Sequence, residues 1–235
     1  MSDQHDQKVA AARAAVASVP DGAIIGLGSG TTAELMLTEL AARVREGLRV
    51  TGVPTSERTR ILATNLGIPL VELDDVETLT LSIDGADEVT LPWLDLIKGR
   101  GGALLREKLT AAASRFRIII VDASKVVPVL GAMHPVPVEV VPFGWRHSMR
   151  RLAALGAQPE LRVGEMIEGD ALRPFVTDGG NYILDCRFEP TAEPDALAQA
   201  IKAVPGVVEH GLFVGMTERV YVAGDDGVHV YNKAL

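Results

Sequence analysis

The stretch AIIGLGSGTTAELMLTELAARVREG (residues 23–47) decides how the rest of the chain is read. AIIGL is a short apolar run set off by Pro20-Asp21-Gly22, the pattern of a strand buried on both faces. From Thr31 onward, Ala33, Leu37, Leu40, Ala41 and Val44 recur at helical spacing. A glycine turn, GSG, joins the two. Outward from there the alternation continues. Residues 7–19 read as an Ala-rich helix, 48–54 as a strand, and 56–67 as a helix stopped by Gly67. Strands follow at 68–73 and 79–84, then a helix at 102–114 and the near-continuous apolar strand FRIIIVD at 116–122. Apolar strands alternating with helices predict a parallel sheet covered on both faces, an α/β, Rossmann-like three-layer domain.

Past residue 128 the rhythm changes. Pro128, Pro135, Pro137 and Pro142 crowd a short segment and mark an interdomain crossing. A strand at 137–141, a helix at 145–156 and a strand at 158–163 come next. A turn at Asp178-Gly179-Gly180 leads into a long strand within 174–188, followed by a helix at 194–206 opened by Pro194 and a strand at 207–214. This β-α-β-β-α-β order predicts a smaller, ferredoxin-like α+β domain. Residues 219–232 read as a hairpin around Asp225-Asp226-Gly227 that returns to the first sheet. The expected division is 1–130 with 207–235 as a discontinuous larger domain, and 131–206 as the smaller domain and oligomer contact.

Composition removes several functions. The 235 residues are 47% apolar with a mean hydropathy of +0.19, enough to build a core. With 23 basic against 31 acidic residues and a pI near 5.2, the chain lacks the basic cluster that neutralising nucleic-acid phosphates requires. No apolar run approaches the ~18 residues of a membrane span, and the first twenty residues carry early acids and no apolar signal core. The lone Cys186 has no CxxC partner, and His5, His134, His147, His210 and His229 lack zinc-ligand spacing. A cytoplasmic, soluble protein without metal is expected.

Four stretches carry candidate chemistry. In GLGSGTTA (26–33) the glycines let backbone approach an anion, the following helix offers unpaired N–H groups, and Ser29, Thr31 and Thr32 add hydroxyls. A dinucleotide fingerprint needs glycine at 31, where threonine stands, and Pro54-Thr55-Ser56 replaces the acid that would hold a ribose. A small phosphomonoester fits this loop, and so does a tight turn with hydroxyl caps. IDGADEV (83–89) delivers Asp84, Asp87 and Glu88 to the carboxyl end of a strand, as hydroxyl-gripping carboxylates, a Mg²⁺ site or a solvated turn; no further acid or histidine motif supports the metal. In IKGRGGALLREK (97–108), Lys98 precedes a glycine loop. The helical neighbours of Glu107 are Ala103, Leu104, Thr110 and Ala111, so no local ion pair explains it. A carboxylate among apolar groups has a raised pKa, as suits a general base near neutrality; a surface glutamate at the helix edge is the other reading, and from this helix alone the favoured one. Arg106 and Lys108 read as ordinary surface or interface charges. VDASK (121–125) puts Lys125 just beyond another strand end.

With the second-half stretches PVEVVP, FVTDGGNYILD and VPGVVEHGLF, these strings resemble type A ribose-5-phosphate isomerase over nearly the whole chain. The resemblance implies a cofactor-free interconversion of ribose 5-phosphate and ribulose 5-phosphate through a cis-enediolate. It implies that Glu107 is the base, that Asp84 serves ring opening and hydroxyl protons, that Asp87 is a second acid, and that Lys98 stabilises the oxyanion. The substrate-contacting stretches it implies are Ser29, Gly30, Thr31 and Thr32; Asp84, Gly85, Ala86 and Asp87; and Lys98, Gly99, Arg100 and Gly101, with Lys125 and Lys8. Arg100 departs from the glycine of many relatives and is expected to face solvent. A homodimer or homotetramer is implied as well. An amino-sugar-phosphate deaminase is disfavoured by DGAD and REK, a sugar-phosphate sensor by the lack of room for a helix-turn-helix before residue 20, and an NAD enzyme by Thr31.

Overall fold

Alternate residues of the strand at 117–122 serve two different cores, which is the simplest evidence that its sheet is sandwiched. Ile118 and Ile120 pack with the helices on one side, Ile119 and Val121 with a separate apolar cluster on the other. The computed structural model describes residues 4–164 and 173–233. In chain order the first half holds α1 (Gln4–Ala17), β1 (Ala23–Leu27), α2 (Thr31–Arg45), β2 (Val50–Pro54), α3 (Glu57–Asn65), β3 (Leu81–Asp84), β4 (Glu88–Thr90), β5 (Leu96–Ile97), α4 (Leu104–Ala112), β6 (Arg117–Asp122) and β7 (Val126–Val127). The second half holds β8 (Val136–Val140), α5 (Trp145–Ala154), β9 (Gln158–Leu161), β10 (Tyr182–Arg187), α6 (Pro194–Lys202), β11 (Val207–His210), β12 (Leu212–Phe213), β13 (Arg219–Gly224) and β14 (Gly227–Asn232).

The main sheet has the order β14-β13-β6-β3-β1-β2, parallel throughout except for the edge strand β14. Ala11, Ala12, Ala15 and Val16 of α1, Leu37, Leu40 and Ala41 of α2 and Ala63 of α3 cover one face, where small side chains let the helices lie close. The opposite face is covered by α4 and a small sheet, β12-β5-β4-β7, so that layer is built partly of strands rather than of helices. The smaller sheet has the order β11-β8-β10-β9 and is wholly antiparallel, which with α5 and α6 realises the expected β-α-β-β-α-β arrangement. Cys186 is buried in its core. No helix among the described residues is long and apolar enough to cross a membrane.

Three expectations change. Residues 68–73 make only a single bridge, Gly52 to Leu70, before a 3₁₀ turn at Leu73–Asp75, since Pro69 has no N–H to extend the ladder. Within 174–188 the regular strand is β10 alone; Val176 makes one bridge back to Tyr182 across the turn. The larger domain does not resume at 207. Val207–His210 pairs with β8 in the smaller sheet, and only beyond Gly211 does Leu212–Phe213 pair with β5. Residues 207–214 are thus two strands in two sheets.

Glu88 ties the crossing segment down. Its fully buried carboxylate accepts N–H bonds from Gly131 (2.7 Å), Met133 (2.7 Å) and His134 (2.6 Å). Glu88→Ala removes three hydrogen bonds to an ionised carboxylate at a cost of about 3 kcal/mol, expected to lower the melting temperature by roughly 6–12 °C for a chain of this size. An unchanged calorimetric midpoint would show that water takes over the carboxylate's place.

Candidate active site

In the main sheet β1 lies between β2 and β3, so the chain winds outward in one direction to β2 and in the other from β3. The loops that leave the carboxyl ends of β1 and β3 diverge there and open the crevice in which doubly wound sheets bind ligands. The loop after β1 is GSG, and the loop after β3 is DGAD. Gly28 is needed for a reason other than anion approach. A Cβ built on it would lie 2.2 Å from Asp84 Oδ1, so its missing side chain is the space that the Asp84 carboxylate fills. Ser29 N–H donates to that same oxygen at 3.2 Å. The Ser29 hydroxyl is turned away from the crevice into a cluster with Thr55 (2.7 Å), Ser56 (2.9 Å) and Thr59 (3.2 Å). Gly30 begins α2 with no side-chain cap, which leaves the first N–H groups of the helix to the crevice.

At the floor of the crevice sit Asp84, Lys98 and Glu107, 8, 4 and 5% exposed. Lys98, delivered by the end of β5, donates to Gly85 O at 2.6 Å, and its Nζ lies 3.0 Å from Asp84 Oδ2 and 3.3 Å from Glu107 Oε2. Burial disfavours the Lys98 ammonium, but Asp84 and then Glu107 outweigh that and raise its pKa. Burial pushes the Glu107 carboxyl up to about 8, against the pull of Lys98 and with added repulsion from Asp84 and Asp87. Burial raises Asp84 too, opposed by Lys98 and by the N–H groups of Gly85 and Ser29. One cation thus serves two carboxylates; Asp84 also accepts from the Ser29 and Gly85 N–H groups, while Glu107 meets Lys98 at the longer distance.

The three acids of the DGADE string part company. Asp84 faces Lys98, Asp87 Oδ2 accepts the Arg100 N–H at 3.0 Å, and Glu88 points the other way into the 131–134 loop. Among the described residues no three His, Cys, Asp or Glu side chains are arranged to hold a metal ion. Above the floor is a cleft of about 320 Å³ bordered by Lys8, residues 29–32, 85–87 and 98–101, Glu107 and Lys125. Every residue that the family resemblance implies for the site borders it except Asp84, which lies just beneath; Glu88, the third acid of the string, does not. The Arg100 side chain is exposed, and its backbone does the bonding. Arg162 was not among the residues read from the sequence: it crosses from the smaller domain to donate to Gly99 O and Arg100 O, both at 3.0 Å, while a bidentate pair with Asp185 aims it. The Thr55, Ser56 and Thr59 cluster also went unread, although Thr55-Ser56 stands where an acid was sought.

A buried carboxylate beneath a rim of lysines and free helix N–H groups defines a site fit to hold a small anion and to move a proton within it. Comparison with known proteins gives the family. The profile of ribose 5-phosphate isomerase A (phosphoriboisomerase A) matches residues 51–227, and the chain belongs to that family. It is 56% identical over 223 residues to the ribose-5-phosphate isomerase A of Gloeobacter violaceus, covering 95% of this chain and 94% of that one. Among solved structures it resembles ribose 5-phosphate isomerase A from Methanocaldococcus jannaschii (TM-score 0.92, 39% identity, 98% of this chain and 100% of that chain). It also resembles a D-ribose-5-phosphate isomerase in complex with phospho-erythronic acid (TM-score 0.93, 35% identity, 99% and 100% covered).

Because Gly28 yields its side-chain space to Asp84, Gly28→Ala must displace that carboxylate. Turnover is expected to fall by at least ~10-fold, equivalent to about 1.4 kcal/mol of barrier. A variant with wild-type kinetics and an unmoved Asp84 in its crystal structure would refute this account of the glycine.

Proposed function

We infer that the chain interconverts D-ribose 5-phosphate and D-ribulose 5-phosphate, with Glu107 as the base that carries the proton between C2 and C1. The observation that carries this reading is the buried Glu107 carboxylate 3.3 Å from Lys98, which is itself 3.0 Å from Asp84. The relative solved with phospho-erythronic acid supports a phosphorylated sugar derivative as ligand. The phosphate is held by the N–H groups and hydroxyls at residues 30–32 together with Lys8 and Lys125, and Asp87 grips a hydroxyl. Asp84 assists ring opening and moves hydroxyl protons.

Once the chain form of the sugar lies on the floor, Glu107 removes the C2 proton of the aldose. Negative charge then develops on the carbonyl oxygen, and Lys98, already desolvated, meets it without reorganising water. The longest of the three Lys98 contacts is the one to Glu107, and it is the one that yields to substrate. Passage of the O2 hydroxyl proton to O1, the transfer that falls to Asp84, and return of the carbon proton to C1 of the cis-enediolate give the ketose and restore the Glu107 carboxylate. No atom leaves the substrate.

The reaction belongs to the non-oxidative branch of the pentose phosphate pathway, and the protein works in the cytoplasm. The smaller domain is the contact surface of a homodimer or homotetramer in this reading, supported by Phe143, which is 94% exposed beside α5.

Glu107→Gln is expected to bind substrate nearly normally and to lose at least ~100-fold in kcat, the low end for a missing general base. In the wild-type enzyme the acid limb of kcat/KM rises with pH as Glu107 loses its proton, and it lies above the ordinary carboxylate range because burial raises that pKa. Conversion of ribose 5-phosphate, followed across pH with chelator present and no nucleotide, checks both. Near wild-type turnover by the glutamine variant removes Glu107 from the mechanism. Lys125→Ala, by contrast, is expected to raise KM with kcat little changed, and unaltered binding of a five-carbon phosphate analogue would contradict that assignment.

A further inference from the structure

Lys108 follows Glu107 in the chain and reads as a surface charge in the sequence, yet its side chain is only 14% exposed. Its ammonium donates to Glu209 Oε1 at 2.9 Å, His210 O at 2.6 Å and Leu212 O at 2.9 Å, one acceptor for each of its three hydrogens. All three acceptors lie in the short stretch where the chain leaves the smaller sheet and enters the larger domain. That stretch is bonded on its other side to Lys98. Gly211 O accepts the Lys98 N–H at 2.9 Å, and Leu212 and Phe213 pair with Ile97 and Leu96. A Cβ on Gly211 would lie 2.1 Å from Lys98 O, so the two backbones are too close to admit any side chain between them. The Phe213 ring is flanked by both ammonium groups, 4.8 Å from Lys108 Nζ and 5.7 Å from Lys98 Nζ.

We propose that Lys108 is a positioning residue for the isomerisation: by clamping α4 onto residues 209–212, which also hold the Lys98 backbone, it sets the distance between Lys98 and Glu107. The proposal rests on the reading of Glu107 as the base. Its physical ground is that a misplacement of about 1 Å in a reacting constellation can cost on the order of 100-fold in rate. The charges that bear most on Glu107 are Lys98, Asp84 and Asp87. Those that face Lys108 are Glu209, shared with Lys202 at 2.8 Å, and the His210 ring. Loss of the Lys108 charge therefore reaches Glu107 through geometry.

The test compares Lys108→Met, which keeps the buried stem and removes the donors, with Lys108→Arg, which can still donate to the carbonyls. Glu107→Gln is assayed in the same series, and all rates are normalised to folded protein by circular dichroism. The methionine variant is expected to lose ~10-fold or more in kcat with KM within about twofold, as for a misaligned base. Its acid limb of kcat/KM moves to higher pH, because a more distant Lys98 supports the Glu107 carboxylate less. Arginine restores most of both. Glu209→Gln, a milder change at the same clamp, shifts the limb in the same direction if the methionine variant does not fold. Wild-type kcat and an unshifted limb in the folded Lys108 or Glu209 variants, with Glu107→Gln inactive, overturn the proposal and leave Lys108 a purely structural role. An active Glu107→Gln overturns instead the base assignment beneath it.

Discussion

One ammonium group buried between two carboxylates is the constraint on which the site depends. Neither Asp84 nor Glu107 has water enough to be stably charged alone, and Lys98 could not remain protonated at that depth without them. Two negative charges and one positive do not balance, and burial raises the pKa of both carboxyls, with backbone N–H groups offsetting this at Asp84. A carboxylate fully neutralised by a lysine would be too weak a base to take a proton from carbon, and one with no counter-charge would be protonated and inert. In the proposed mechanism, where Glu107 is the base, the arrangement holds the group between those limits.

The fold makes this arrangement affordable by bringing the three groups from separate elements of the sheet layers. Asp84 ends a central strand, Lys98 ends a two-residue strand in the covering sheet, and Glu107 sits in the first turns of α4. Each enters from a different direction, so the cluster is surrounded by backbone and apolar side chains. The glycine turn above it does double service: at Gly28 it makes room for the aspartate, and at Gly30 it leaves helix N–H groups facing the cleft.

Much of this was legible in the chain. Apolar runs and helical spacing placed the main strands and helices to within a few residues, whereas the uncharged neighbours of Glu107 left a surface glutamate the plainer reading until the fold buried it. What could not be read depends on contacts between distant residues. Gly28 looks like a phosphate-loop glycine until Asp84, far along the chain, is seen to occupy its missing side chain. Arg162 and Lys108 carry no local signature, since their acceptors are main-chain carbonyls that any residue supplies and carboxylates distant in the chain, Asp185 and Glu209. Residues 207–214 read as one strand because apolar character does not record which sheet each half joins. The short strands β4, β5 and β7 are below the length at which a period can be recognised.

The passage through Gly211 also governs how the molecule can move. A clamshell opening would have to tear the ladder bonds on both flanks of that glycine, break the Arg162 bonds to the 99–100 loop, and pull Asp178 from the start of α3. The two halves are riveted to one another along the floor of the cleft. Hinging the halves apart would have to break these bonds first, which makes them a frame for the cleft rather than a jaw.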